Sequence, residues 1–329
     1  MKTSFIILTG LLMVGCGTKL MSAEPLTAQQ EEQREKEHQK AEDAISKLGG
    51  ALYPECSWVD GFYVIFQKDK ITDGGLERLK AFPQIKGLEL TGSQVTDAGL
   101  KHLKTFTKLR RLKVNSTKIT DAGLEPIGSL AELERLFLRG TKITDAGLRH
   151  IITLPLKSLD VRGTRVGDAG LAHLRNMQTL EGLELSQTRV TDAGLAQLTS
   201  LIRLESIRLA GTSVSDDGLK HLAGLAELAD LDVGNTRVTV KGLEHIAKLR
   251  NLSRLTLDKT ALSDDSLALL SGLKHLAALS LRDTPITDKG LEHLGKIPTL
   301  AMIDLSGTKV SDAGIERLHR ALPACRIEK

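Results

Sequence analysis

The chain has 329 residues, with 45 Lys and Arg against 41 Asp and Glu and a formal net charge of +4. That balance excludes both a strongly basic footprint for nucleic acid and a strongly anionic surface. Aromatic residues make up only 3% and there are three cysteines, so the core is built from leucine and no disulfide framework supports it.

Residues 1–16, MKTSFIILTGLLMVGC, place Lys2 before an apolar run. The run has the character of an export signal and is too short to span a bilayer stably. Met13-Val14-Gly15-Cys16 resembles the lipobox of bacterial lipoproteins, with Met where Leu is commoner. The resemblance implies a lipid on Cys16 and a chain anchored to the cell membrane or outer membrane, facing away from the cytoplasm. Residues 17–40 contain SAEPLTAQQEEQREKEHQK, almost free of apolar side chains, and read as a polar tether.

Residues 41–70 read as an N-terminal cap made of a helix plus a hairpin. Ala41, Ala44, Ile45 and Leu48 share one helical face, and Gly49-Gly50 stop the helix. Asp60-Gly61 between CSWV and FYVIF predicts a two-residue hairpin turn. Trp58, Phe62 and Val64 are expected to shield the first coil of the segment that begins at residue 71.

From residue 71 to 329 one hexapeptide recurs. ITDAGL stands at 119 and again at 143, and near copies stand at 71, 95, 166, 190, 214, 238, 262, 286 and 310. The step is 24 residues except once, where it is 23, and the missing residue falls beside Pro155. A fixed period in this range means stacked supersecondary units. Before each hexapeptide comes an alternating segment such as LRRLKVNST at 109 or LERLFLRGT at 133, the pattern of a strand with one buried face. After it, apolar residues such as Leu100, Leu103 and Phe106 fall at helical spacing. Each period is therefore strand, turn and short helix, and only stacked neighbours can bury its apolar side.

These residues resemble the leucine-rich repeat family, with its L-x-x-L-x-L strand signature, over about residues 60–329. The TDAGL turn is similar to bacterial tandem repeats and to the repeats of F-box leucine-rich proteins. The resemblance implies an α/β solenoid, a horseshoe with a parallel β-sheet on its concave face and short helices on its convex face. One departure is a Thr column, Thr117 to Thr308, where the family usually has Asn or Cys. We expect a structural ladder there, with the hydroxyls satisfying turn backbone. Within the hexapeptide, Thr or Ser is expected to cap the helix, since Gly167 replaces it once while Val240 replaces the Asp once. The Asp then sits in the first turn, favoured by the helix dipole, and the Gly slot demands smallness. The aspartates thus read as structural and not as a catalytic row. The chain ends in LPACRIEK, a truncated last strand. Cys56 and Cys325 lie in opposite caps, on the order of 50 Å apart at ~4.8 Å per strand, so no disulfide between them is expected.

No phosphate loop, nucleophile elbow, H-E-x-x-H or C-x-x-C is present, and no cofactor is expected. His102, His150, His173, His221, His245 and His293 share one helix position, but no carboxylate or Cys column completes a metal site. The strand residues that flank the buried leucines escape the repeat rule, and they face the concave surface used by solenoids for binding. There Arg111, Lys113, Arg135, Arg139 and Arg162 form a basic cluster around Phe137, expected to be exposed, and farther along Asp230, Asp232 and Asp258 turn the face acidic. These six N-terminal residues are the candidate partner-binding set. Together these features read as a non-enzymatic, membrane-anchored, monomeric scaffold binding a protein partner. A surface protein that binds a polyanion or acidic glycan is the alternative. A ubiquitin-ligase-type adaptor is disfavoured, because no F-box segment precedes the repeats.

Overall fold

The computed structural model describes residues 27–53 and 62–329. Residues 1–16 with Cys16, and the segment holding Cys56, Trp58 and Asp60-Gly61, lie outside the described residues. The chain divides between Ala41 and Glu42 into two compact units, and the second contains the whole sheet. No helix among the described residues is long and apolar enough to cross a membrane.

Helix α1 spans Ala28–Lys47, so helix begins inside the segment read as a tether. Its exposed polar residues link one turn apart, Lys36 to Glu32 at 2.6 Å and Gln33 to Glu37 at 3.0 Å, spacing that supports a helix without a core. It ends at Gly49, whose φ of +79° suits glycine and whose N–H donates to the Ser46 carbonyl.

Strand β1, Gly50–Tyr53, pairs antiparallel with β2, Phe62–Phe66, in the register Gly50↔Phe66 and Tyr53↔Tyr63. The strand that pairs with β2 is therefore Gly50–Tyr53, ahead of CSWV in the chain. Gly50 decides this register. A Cβ at Gly50 would lie 2.6 Å from the Phe66 ring, so the ring needs a strand residue without a side chain opposite it. β2 buries Phe62, Val64 and Phe66 alternately.

Eleven strands come after β2 in parallel, in sequence order: β3 Ile85–Glu89, β4 Arg111–Lys113, β5 Arg135–Phe137, β6 Ser158–Asp160, β7 Gly182–Glu184, β8 Ser206–Arg208, β9 Asp230–Asp232, β10 Arg254–Thr256, β11 Ala278–Ser280, β12 Met302–Asp304 and β13 Arg326–Glu328. The result is a horseshoe solenoid with one sheet and a short helix in each coil. The middle residue of each short strand from β4 to β12 enters the core; Leu112, Leu136 and Leu159 are all 0% exposed. Each fully buried Leu contributes about 2 kcal/mol relative to an exposed one. The single short step appears as Arg135↔Ser158 between β5 and β6, so the missing residue is absorbed before β6, on the Pro155 side.

The hexapeptide holds one coil to the next. Its Thr or Ser is the helix N-cap with extended backbone, and at Thr96, Thr144 and Thr191 the hydroxyl accepts from the N–H two residues on. The Asp does more than favour the helix dipole. Its Oδ1 accepts from the backbone N–H of the next coil's cap residue, and its Oδ2 accepts from that residue's hydroxyl. At Thr96, Thr120, Thr144, Thr191, Ser215, Thr239, Thr287 and Ser311 both bonds form, at 2.6–2.8 Å. At Gly167, which has no hydroxyl, only the backbone bond to Asp145 remains.

The glycine of the next coil lies against the same carboxylate. A Cβ at Gly99, Gly123, Gly147, Gly170, Gly194, Gly218, Gly242, Gly290 or Gly314 would stand 2.2–2.6 Å from the Oδ1 of the preceding coil's Asp. None of these glycines has positive φ, so the slot requires space and not a left-handed backbone. The Thr column satisfies turn backbone, as expected. Thr117, Thr141, Thr164, Thr212, Thr236, Thr284 and Thr308 each donate to the carbonyl three residues earlier in the same coil, at 2.6–2.7 Å, closing the turn after the strand without linking coils.

Candidate functional site on the concave strand face

The two residues flanking each buried strand position project from the concave side of the sheet, so residues one period apart become cross-strand neighbours. Phe137 of β5 pairs in register with Lys113 of β4 and Asp160 of β6. Its neighbours Leu136 and Leu138 fill the core at 0% exposure, leaving the ring on the surface side. The ring is half-buried and not exposed as expected, because two cations of β4 lie over it. The Arg111 guanidinium carbon is 5.4 Å and the Lys113 ammonium 5.6 Å from its centroid, within cation–π range.

The six basic and aromatic candidates separate into two groups. Lys113 is bound to Glu89 at 3.0 Å. Arg162 is held by Asp160, 2% exposed, at 2.9 Å, and also meets Glu184 at 3.4 Å. Its bond to the Asp160 carboxylate, ahead of the opposing effect of burial, raises the guanidinium's pKa further. Neither is a free cation. The remaining carboxylates of this region are engaged as well, Glu132 by Lys108 and Arg110 and Glu134 by Lys157. Among the described residues no carboxylate pairs with Arg111, Arg135 or Arg139. Arg111 and Arg135 face each other across adjacent strands, and Arg139 is exposed just beyond β5, its N–H held by the Asn115 side chain at 2.8 Å.

The face does not simply turn acidic farther along. Asp160, Arg162, Glu184, Arg208, Asp230 and Arg254 form a string of alternating charge across β6 to β10, with Arg208 at 3.0 Å from Glu184 and 2.8 Å from Asp230, and Arg254 at 3.1 Å from Asp230. Glu184 and Arg208 were absent from the sequence-derived set. Their signal was present, because Glu184 and Arg208 are opposite charges in the same strand slot one period apart and become register partners. Burial is the main influence on the Glu184 carboxyl and pushes its pKa up, against the lowering effect of Arg162 and Arg208. Its Oε2 and the Arg208 Nε lack a well-aligned hydrogen bond, so these contacts are ionic without ideal geometry. Asp232 is also pushed up by burial; the Gly234 N–H, at 2.9 Å from its Oδ1, opposes that rise. Asp258 accepts from Ser280 at 2.5 Å and from the Arg282 N–H at 3.0 Å.

The histidine row lies on the helix side, with His150 and His221 in the turns just past their helices. His293 approaches Asp265 at 3.9 Å and His150 approaches the Arg149 Nε at 3.4 Å. Among the described residues no three His, Cys, Asp or Glu side chains gather where they could hold a metal ion.

A single-sheet horseshoe with a variable strand face defines a repeat scaffold. The sequence profile of leucine-rich repeat regions matches residues 64–327, and the chain belongs to the leucine-rich repeat family. Its fold is similar to that of an internalin from Listeria monocytogenes, with 20% identity over 88% of this chain and 94% of the other and a TM-score of 0.53. It is also similar to a leucine-rich repeat protein of Leptospira interrogans, with 18% identity over 77% and 74% of the two chains and a TM-score of 0.51. At these identities the likeness is one of fold alone. No curated protein matches the chain in a sequence search.

Proposed function

We propose that the chain is a non-enzymatic scaffold, exported and lipid-anchored through Cys16, whose concave face binds an acidic segment of a protein partner at Arg111, Arg135, Phe137 and Arg139. The observation that supports this reading is an imbalance of charge. The Arg111 guanidinium lies over a half-buried ring, and Arg135 and Arg139 on the ring's own strand segment have no carboxylate partner, while every neighbouring carboxylate is already engaged. Arg and aromatic side chains carry much of the energy of protein interfaces, since they bury area at small entropic cost and Arg pairs carboxylates through two parallel bonds. Lys113 and Arg162 position the patch but bring no spare charge.

The test is capture of a partner from envelope extracts, followed by affinity measurement with the purified pair. Phe137→Ala and Arg135→Glu should each weaken binding by ~2 kcal/mol or more, and Arg162→Ala should do less. Binding should also weaken with salt. If an acidic polysaccharide binds the patch and no protein does, the polyanion reading replaces this one. For the anchor, intact-mass analysis of membrane-extracted protein should show loss of residues 1–15 and added acyl mass on Cys16. A soluble product cleaved elsewhere overturns that part.

A further inference from the structure

Ten junctions join successive hexapeptides, and nine are clasped by an Asp of one coil bound to the cap residue of the next. The tenth is not. There Val240, 37% exposed, occupies the Asp slot, and the cap residue it should hold, Ser263, makes no side-chain cap bond. A second link is missing at the same place. In neighbouring coils the residue before the hexapeptide donates its N–H back one coil, as Arg189 does to Val166, Ser213 to Val190 and Arg237 to Val214, at 2.8–3.2 Å. Among the described residues Ala261 makes no such bond to Val238. Lys118 lacks it too, and Pro285 has no N–H, but both of those junctions keep their Asp clasp. Only the Val240 junction lacks both links.

Two neighbouring features go with the missing carboxylate. The glycine slot of the next coil holds Ser266, the one substitute for Gly in the hexapeptides. Every glycine that follows a clasping Asp faces an Asp Oδ1 that a Cβ would strike; the hexapeptide before Ser266 has Val240 in the Asp slot and presents no such carboxylate. Ser266 is 3% exposed and donates to the Ser263 carbonyl at 2.6 Å, a bond within its own coil. The next segment, Asp264–Gly272, is a 3-10 helix throughout, whereas every other hexapeptide opens an α-helix.

We infer that the Val240–Ser263 junction is a built-in opening point of the solenoid, where the coils from Ser263 onward separate from the rest on the helix side. The strand side acts as the hinge. There β9 and β10 stay paired, Arg254 binds Asp230 at 3.1 Å, and the Asn235 N–H donates to the Asp258 carbonyl at 2.6 Å. In a solenoid each coil is held only by its neighbours, so one weak interface divides the array into two cooperative blocks. The larger block carries the Phe137 patch. The hinge itself lies at the far end of the same face, between Asp232 and Asp258.

Amide hydrogen exchange on the full chain tests this. In the native protein the amides of residues 264–329 exchange together and faster than those of residues 190–239. Val240→Asp with Ser266→Gly rebuilds the clasp and its space, and slows exchange of the C-terminal block by about tenfold or more. Val240→Asp alone gives no such slowing, because a Cβ in that slot stands within 2.2–2.6 Å of the carboxylate oxygen in every clasped coil and would push it away, and Ser266→Gly alone gives none, because no carboxylate is there. Strong non-additivity is the signature. Terminal coils also fray without any special device, so a transplant serves as the control. Asp168→Val, Gly194→Ser and Arg189→Pro together remove the Asp clasp and the Arg189 N–H bond to Val166 in mid-solenoid, with the proline that Pro285 already places in that slot, and should create a new exchange boundary at residue 191. The inference fails if the double variant exchanges like the native chain, if its effect equals the sum of the single changes, or if the transplant creates no boundary.

Discussion

The helix side and the strand side of this solenoid use the same 24-residue period in opposite ways. On the helix side, Asp, Thr and Gly recur because each has a partner one coil away: the carboxylate takes two bonds from the next cap, and the glycine makes room for the carboxylate. On the strand side, the outward residues differ from coil to coil, and their partners differ too. The contrast teaches that repeated polar residues here hold coils together, while the unrepeated ones are available for recognition. It also shows that charge content is not charge availability. Across β6 to β10 the charges neutralise one another; across β4 and β5 three guanidiniums do not.

The largest expected effect breaks the helix side. Gly194→Ala puts a Cβ 2.4 Å from the Asp168 Oδ1, and overpacking against a bonded carboxylate should cost about 3 kcal/mol in denaturant unfolding. Adding Asp168→Ala should recover part of that loss, because the space reopens. A Gly194→Ala chain that unfolds like the native protein would remove the carboxylate from the account of the glycine slot.

Next comes the strand face. Arg208→Ala leaves Glu184 and Asp230 half-buried without their shared cation, and should cost about 2 kcal/mol, less than a fully buried pair. Arg135→Ala, with no ion pair to lose, should change stability by no more than about 0.5 kcal/mol while weakening partner binding. If Arg135 matters more to stability than Arg208, the division of this face into a neutralised string and an available patch is wrong.

The smallest effect concerns pH. Burial raises the Asp232 carboxyl pKa, so the folded state holds that proton more tightly than the unfolded state. This group's contribution to stability therefore falls as pH rises from the ordinary carboxylate range through the raised value. Asp232→Asn keeps an oxygen for the Gly234 N–H and removes the ionisation. Thermal melts should show a gain of roughly 0.5 kcal/mol near neutral pH that vanishes in acid, where Asp232 is protonated in both states. A gain that persists in acid would assign the effect to something other than ionisation.

The period, the solenoid, the leucines that enter the core and the Thr or Ser slot that caps the helices were legible in the amino-acid order alone, because burial and capping are local and repeat with the chain. It also placed the residue deleted beside Pro155, since a one-residue slip shows in any register of repeats. Tertiary structure decided the rest. The aspartate's partner lies 23 residues away, so the hexapeptide read alone suggests only a first-turn acid. Gly50 looks like a helix stop until Phe66 is set opposite it. Phe137 looks exposed until Arg111 and Lys113 cover it from the next strand. Arg162 looks available until Asp160 and Glu184 hold it. Which strand residues are neighbours is set by the period, but which charges meet depends on diagonal reach across strands ~4.8 Å apart, and that distance exists only once the coils are stacked.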